Sequence, residues 1–155
     1  MIEKTLILIK PDAIQRGLVS DILKRFEQKG LKIVGIKMIK LTEELLKNHY
    51  AHVYGQDFFA ELHDFMVSTP IIAVVIEGSN AIEMVRTIAG TNHNQIGTIR
   101  GDFSDSRQRN LIHTSDSVEN AAEEIPRFFQ ENEIFDYEKV LWKFSYSKKD
   151  FSGKN

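Results

Sequence analysis

His113 closes the segment Asn110-Leu111-Ile112-His113 and is followed at once by Thr114-Ser115-Asp116-Ser117. Short hydroxyl and carboxyl side chains of this kind cap helices and orient a neighbouring group through hydrogen bonds. An imidazole so placed could serve as a nucleophile or a proton carrier, although a single histidine is more often a structural residue. The cations narrow the chemistry. Lys10 follows the run Thr5-Leu6-Ile7-Leu8-Ile9, Arg86 falls in a helical pattern, and Arg100 sits in Gly97-Thr98-Ile99-Arg100-Gly101-Asp102-Phe103. Guanidinium forks and an ammonium point charge are what a polyphosphate requires, while each cation taken singly reads as a solvated surface charge. No Gly-x-x-x-x-Gly-Lys-Ser/Thr pattern occurs, and Ser152-Gly153-Lys154-Asn155 lacks the leading glycine and the hydroxyl. Phosphates would therefore be held by side chains. His49 and His52 stand three apart on a helical pattern without a third ligand nearby in sequence, which favours a solvated helix face over a zinc site.

The elements that must position these residues follow from periodicity. Thr5 to Ile9 is a continuous apolar strand stopped by Pro11, which puts Lys10 at its mouth. Val19, Ile22, Leu23 and Phe26 predict a helix from near Ser20 to Lys29, ended by Gly30. Leu31 to Leu41 alternates as a strand with Val34, Ile36 and Met38 against a core and Lys32, Gly35 and Lys37 facing water. Thr42 caps a helical hairpin running to about Val67, broken at Tyr54-Gly55-Gln56-Asp57. Ile71 to Ile76 is a buried strand and Ala81 to Ala89 a helix, and Gly90 to Arg109 is a loop whose length suggests function. A short strand ends at His113, and Ser117 opens a last helix with Val118, Ala121, Ala122, Ile125, Phe128 and Phe129 on one face. This order predicts an α+β fold, a ferredoxin-like sandwich: a four-stranded antiparallel sheet with helices packed on one side and an inserted helical hairpin. Residues 1–146 read as a single domain and 147–155 as a disordered tail.

Composition limits the partners. Of 155 residues 42% are apolar and 27% charged, enough for one core, and a net charge of -2 gives no general attraction for nucleic acid or an anionic membrane. Cysteine is absent, which excludes disulfides, thiolate nucleophiles and Cys-ligated metals. The N-terminal apolar run is too short for a signal sequence or a membrane span, so a cytoplasmic location is expected.

Four segments taken together carry a resemblance: Ile9-Lys10-Pro11-Asp12, Gln15-Arg16-Gly17-Leu18, Gly97 to Phe103, and Asn110 to Ser117. They resemble, in order, the signature segments of nucleoside diphosphate kinases, and the likeness runs from about Thr5 to about Tyr137. The last segment is highly specific to that family. The resemblance implies a reversible ping-pong reaction in which a magnesium nucleoside triphosphate phosphorylates His113 and a second nucleoside diphosphate collects the γ-phosphoryl group. It implies that Glu124 binds the other imidazole nitrogen and fixes the reactive tautomer, with Ser115 supporting Glu124. Lys10, Tyr50 and Asn110 match positions that contact sugar or phosphates, Arg86, Thr91 and Arg100 match β- and γ-phosphate ligands, and Phe58 matches the residue stacked on the base. A base platform without edge hydrogen bonds would accept purines and pyrimidines alike. The implied cofactor is Mg²⁺, held mainly by the nucleotide phosphates, and the implied assembly is a homo-oligomer. The stretch between Arg86 and Arg100 is shorter than the family pattern and has no proline, so dimer, tetramer and hexamer all stay open.

Neutral imidazole is the attacking form, so the reaction should slow below about pH 6. The alternative to turnover is a nucleotide-binding scaffold or regulatory paralogue, against which the complete residue set argues. An RNA-binding module needs aromatic residues on central strands and a basic face, which Thr5 to Ile9 and Ile71 to Ile76 do not supply. A histidine phosphatase, which would also pass through phosphohistidine, would need a group to deliver water beside His113, and the sequence offers no obvious one.

Overall fold

The structure, a computed structural model, describes residues 2–151. The chain runs β1 (Ile2–Ile9), α1 (Pro11–Gln15), α2 (Val19–Gln28), β2 (Lys32–Ile39), α3 (Glu43–His49), α4 (Phe59–Val67), β3 (Ile71–Ser79), α5 (Ala81–Ala89), α6 (Ile99–Phe103), β4 (Ile112–Thr114), α7 (Val118–Phe128) and α8 (Trp142–Ser145). The strands form one antiparallel sheet in the order β2-β3-β1-β4. This is the ferredoxin-like topology, and α3 and α4 form the inserted hairpin.

Helices cover both faces of the sheet, not one. From Leu6 to Ile9 every side chain of β1 is fully buried. Leu6 and Leu8 pack with Leu46, Tyr50, Met66 and Phe128 from α3, its C-cap, α4 and α7. Ile7 and Ile9 point the other way, onto Ile22 and Phe26 of α2 and Val85 and Ala89 of α5. A strand buried on both sides reads as a continuous apolar run, which is the pattern Thr5 to Ile9 shows. Fully burying each such aliphatic side chain contributes about 1.5–3 kcal/mol.

Strand β2 departs from the alternation predicted for it. Its pairing with β3 shifts register between Ile33 and Gly35, and an inserted residue at a bulge moves every later side chain to the opposite face. Ile36 and Met38 consequently point to solvent, at 52% and 60% exposure. Lys37 lies under the Phe129 ring and pairs with Glu133 at 2.6 Å. A Cβ on Gly35 would stand 3.1 Å from that same ring. Helix α7 also differs in detail: Ala121 and Phe128 are buried, but Val118 is half exposed and Ala122 faces water.

The stretch Gly90 to Arg109 is not all loop, because Thr98 caps the short helix α6 by accepting the Gly101 N–H at 3.0 Å. The tail expected to lack structure carries a 3-10 turn at Lys148–Phe151, closed by Asp150 accepting from the Ser147 N–H at 2.7 Å. The last four residues of the predicted tail, 152–155, lie outside the described residues.

Candidate active site

β4 ends at Thr114, where the backbone pairing with β1 gives way to a side chain. The Leu6 N–H donates to Ser115 Oγ at 3.3 Å, and Ser115 N–H returns a bond to the Leu6 carbonyl at 3.2 Å. Ser115 Oγ then donates to Glu124 Oε2 at 2.6 Å, and Glu124 Oε1 lies 3.0 Å from His113 Nε2. The carboxylate can only accept, so the imidazole proton sits on Nε2 and the Nδ1 lone pair is free. Nδ1 has no hydrogen-bond partner among the described residues. Burial pushes the Glu124 carboxyl up, but the bonds and charge from His113, with the Ser115 hydroxyl, outweigh it and hold the carboxyl down at about 2. Glu124 is thus a fixed anion at neutral pH.

Segment 110–112 is clamped from the opposite side by the start of α1. Leu111 has φ 73, a left-handed conformation that a leucine adopts only when its surroundings impose it. Its N–H donates to Asp12 Oδ2 at 3.0 Å and its carbonyl accepts the Lys10 N–H at 2.8 Å. Lys10 Nζ reaches Asn110 Oδ1 at 2.7 Å. Burial, with the nearby Arg100 charge and against Asp12, pulls the Lys10 ammonium down to about 8.

The motif around Arg100 mostly builds the wall. Arg100 spreads its guanidinium over three backbone carbonyls: Asn110 at 3.3 Å, Ile112 at 2.6 Å, and Gly90. Burial and the Arg86 charge lower its basicity. A Cβ on Gly101 would meet the Gln95 carbonyl oxygen at 1.9 Å, so only glycine lets the loop close down on α6. Asp102 accepts from the Gly97 N–H at 2.7 Å and pairs with Arg25 of α2 at 2.6 Å.

His113, Glu124 and Arg86 line a cleft of about 510 Å³ with His49, Asn48 and Arg127. An adjoining cavity of about 270 Å³ is lined by Arg86, Gly90, Thr91, Arg100 and Thr114. Arg86 and Thr114 belong to both, so the two form one depression with cations on one flank and the imidazole on the other. Arg86 is exposed on α5 and makes no ion pair or hydrogen bond among the described residues. Thr91 bonds to Gln95 through both its N–H and its hydroxyl, at 2.9 and 3.2 Å. Phe58 is not in this depression. It is 43% exposed and lines a separate apolar cavity of about 150 Å³ with Glu61, Leu62, Phe65 and Gln108. Tyr50 is buried with its hydroxyl unpartnered, and its acidity is suppressed by burial and by the Glu124 charge. A cavity of about 520 Å³ beside α8 offers no such chemistry, since Lys32 within it is paired with Glu77 at 2.7 Å.

A profile of the nucleoside diphosphate kinase family matches residues 3–134. The chain belongs to the nucleoside diphosphate kinase family. It is 50% identical over 139 residues to the nucleoside diphosphate kinase of Parabacteroides distasonis, covering 88% of this chain and 91% of that one. Against nucleoside diphosphate kinase A of Rattus norvegicus identity is 46% over 147 residues, covering 93% and 97%. The halophilic nucleoside diphosphate kinase of Halobacterium salinarum, solved in complex with CDP, superposes with a TM-score of 0.90 at 39% identity, covering 95% of this chain and all of that one. The chain is accordingly a phosphotransferase with nucleoside diphosphate kinase activity, and the weak-scaffold alternative falls away. No helix among the described residues is long and apolar enough to cross a membrane.

Sequence reasoning missed two residues of the site. Asp12 was legible only as part of a motif, because its bond to the Leu111 N–H joins parts of the chain far apart in sequence. His49 is not on a solvated helix face: it is 4% exposed, and its ring meets that of His113 edge-on at 4.6 Å between centroids. The signal was its place three residues after buried Leu46, which is the inward stripe of α3.

Proposed function

We propose that His113 carries the phosphoryl group, with Nδ1 as the attacking atom. In the first half-reaction the Nδ1 lone pair forms a bond to the γ-phosphorus of a nucleoside triphosphate as the bond from phosphorus to the β–γ bridging oxygen breaks. The diphosphate leaves with that electron pair. In the second half a terminal oxygen of another nucleoside diphosphate takes the phosphoryl group and the lone pair returns to Nδ1. The Nε2 proton stays on the ring throughout, and the Glu124 anion stabilises the positive charge that develops there. The observation that carries this reading is the His113–Glu124–Ser115 chain, which presents a free Nδ1 beside an unpaired guanidinium.

Arg86, with Thr91 and the unused N–H bonds of Arg100, would face the β- and γ-phosphates. Lys10, Asn110 and Tyr50 would meet the sugar and phosphates from the side of α1 and α3. Phe58 would stack on the base at the outer end, and a π-platform suits any nucleobase. The relative from Halobacterium salinarum binds CDP, which fits a nucleoside diphosphate as leaving group and acceptor here.

The side chains at the phosphate end, Lys10, Arg86, Arg100, Thr91 and Asn110, are cationic or neutral and make no carboxylate cage for Mg²⁺. Mg²⁺ would accordingly arrive on the phosphates and supply charge neutralisation there. The same reading takes the chain as a cytoplasmic homo-oligomer.

The test is incubation with γ-labelled ATP and Mg²⁺ without an acceptor. Acid-labile, base-stable label on the wild type, absent from His113→Ala and chased by GDP or CDP, is the expected result. Tight ATP binding without label would overturn the assignment of His113.

A further inference from the structure

His49 has no task in that reaction, and its surroundings do not satisfy it. Both ring nitrogens are buried without a hydrogen-bond partner, a costly state for a polar group and one that a phenylalanine of similar shape would avoid. Tyr50 and Phe128 hold the ring edge-on at 4.8 and 5.0 Å, so it stands against His113 in one orientation. A ligand atom from each of His49, His113 and Glu124 lies within 4.8 Å of the other two. Three points no farther apart than that share a centre within about 2.8 Å of each, whereas Zn–N and Zn–O bonds are about 2.0–2.2 Å. Each side chain would close by roughly 0.7 Å, a small rotation about its outer bonds.

The remaining requirements of a metal site are also met. The second oxygen of Glu124 is anchored by Ser115, the kind of outer bond that orients a ligating carboxylate. The cleft is open to solvent, which gives an ion a path in and leaves a coordination position for water. Two imidazole nitrogens and one carboxylate oxygen suit zinc and its borderline neighbours and not magnesium, which demands six oxygens.

We propose that His49, His113 and Glu124 form an inhibitory zinc site on the nucleotide-free enzyme. Coordination takes one imidazole nitrogen of His113 and leaves the ring's single proton on the other, so the lone pair that must attack phosphorus is no longer available. The inhibition rests on His113 being the nucleophile; the binding does not.

Zinc is titrated calorimetrically into nucleotide-free protein with Mg²⁺ in excess, with Co²⁺ absorption as the spectroscopic probe of coordination. The wild type should bind about one ion per chain, and His49→Phe should bind it at least about tenfold more weakly. Phosphotransfer by His49→Phe, measured relative to its own zinc-free rate, should resist zinc by the same factor. His49→Asn, compared by circular dichroism, serves if the phenylalanine variant does not fold. Failure to retain zinc in the presence of Mg²⁺, or equal binding and equal inhibition in the His49 variants, would overturn the proposal. Because binding is read without nucleotide, a failed zinc titration says nothing against His113 as nucleophile, and a missing phosphohistidine says nothing against zinc binding.

Discussion

Replacing Lys10 by methionine should make the protein more stable and less active. Lys10 is 7% exposed, and burial first, then the Arg100 charge, bring its ammonium from 10.5 to about 8 despite Asp12. A displacement of that size corresponds to roughly 3 kcal/mol of unfavourable charge in the folded state. The folded value lies below the unfolded one, so the penalty is fully present below pH 8, shrinks between 8 and 10.5 and is gone above. Methionine removes it and forfeits the bond to Asn110, worth about 1 kcal/mol. The variant should therefore be about 2 kcal/mol more stable near neutral pH, with the advantage disappearing as pH approaches 10.5. Urea denaturation of nucleotide-free protein at one fixed concentration, repeated from about pH 7 upward, measures this. The same variant should lose about a hundredfold in kcat/KM, as expected for removing one cation worth roughly 3 kcal/mol at the phosphates. A methionine variant less stable than wild type near pH 7, or a stability gap that does not move with pH, would refute the reasoning.

Glu124→Gln keeps the shape but not the anion that holds the Nε2 proton, so kcat should fall about 10- to 150-fold with KM for nucleotide little changed, as read by steady-state kinetics. Gly101→Ala puts a methyl into the Gln95 carbonyl, so the loop must lift from α6; expected are a loss of about 1–3 kcal/mol in thermal unfolding and a raised KM, and an unaltered KM would count against the loop's place at the phosphates. Lys10 in the free enzyme loses its charge through about pH 8, so kcat/KM should decline on the alkaline side, and Lys10→Arg should abolish that limb.

Much of this was legible in the sequence because it is local. The limits of α5 at Ala81–Ala89, the Ser117 and Thr42 caps and the run in β1 follow from short-range rules. The two-sided burial of the sheet was present in the run Leu6 to Ile9, but only helices from distant parts of the chain decide whether both faces are covered. The bulge between Ile33 and Gly35 was hidden, since the alternation of β2 reads equally well in either register until β3 is paired with it. In the site, residue types pointed to phosphate chemistry, and family likeness supplied the rest. Neither disclosed that Arg100 spends its donors on three carbonyls, or that His49 turns inward to His113.

The contact between the Leu6 amide and Ser115 has a further consequence. A peptide N–H cannot reverse its polarity, so the serine oxygen must receive from Leu6 and send its own hydrogen on to Glu124. The carboxylate, accepting at one oxygen from the serine, keeps its other oxygen turned to His113 Nε2. An amide in the middle of a buried strand thereby holds the serine that holds the carboxylate, so the anion facing His113 is fixed in place by the sheet itself.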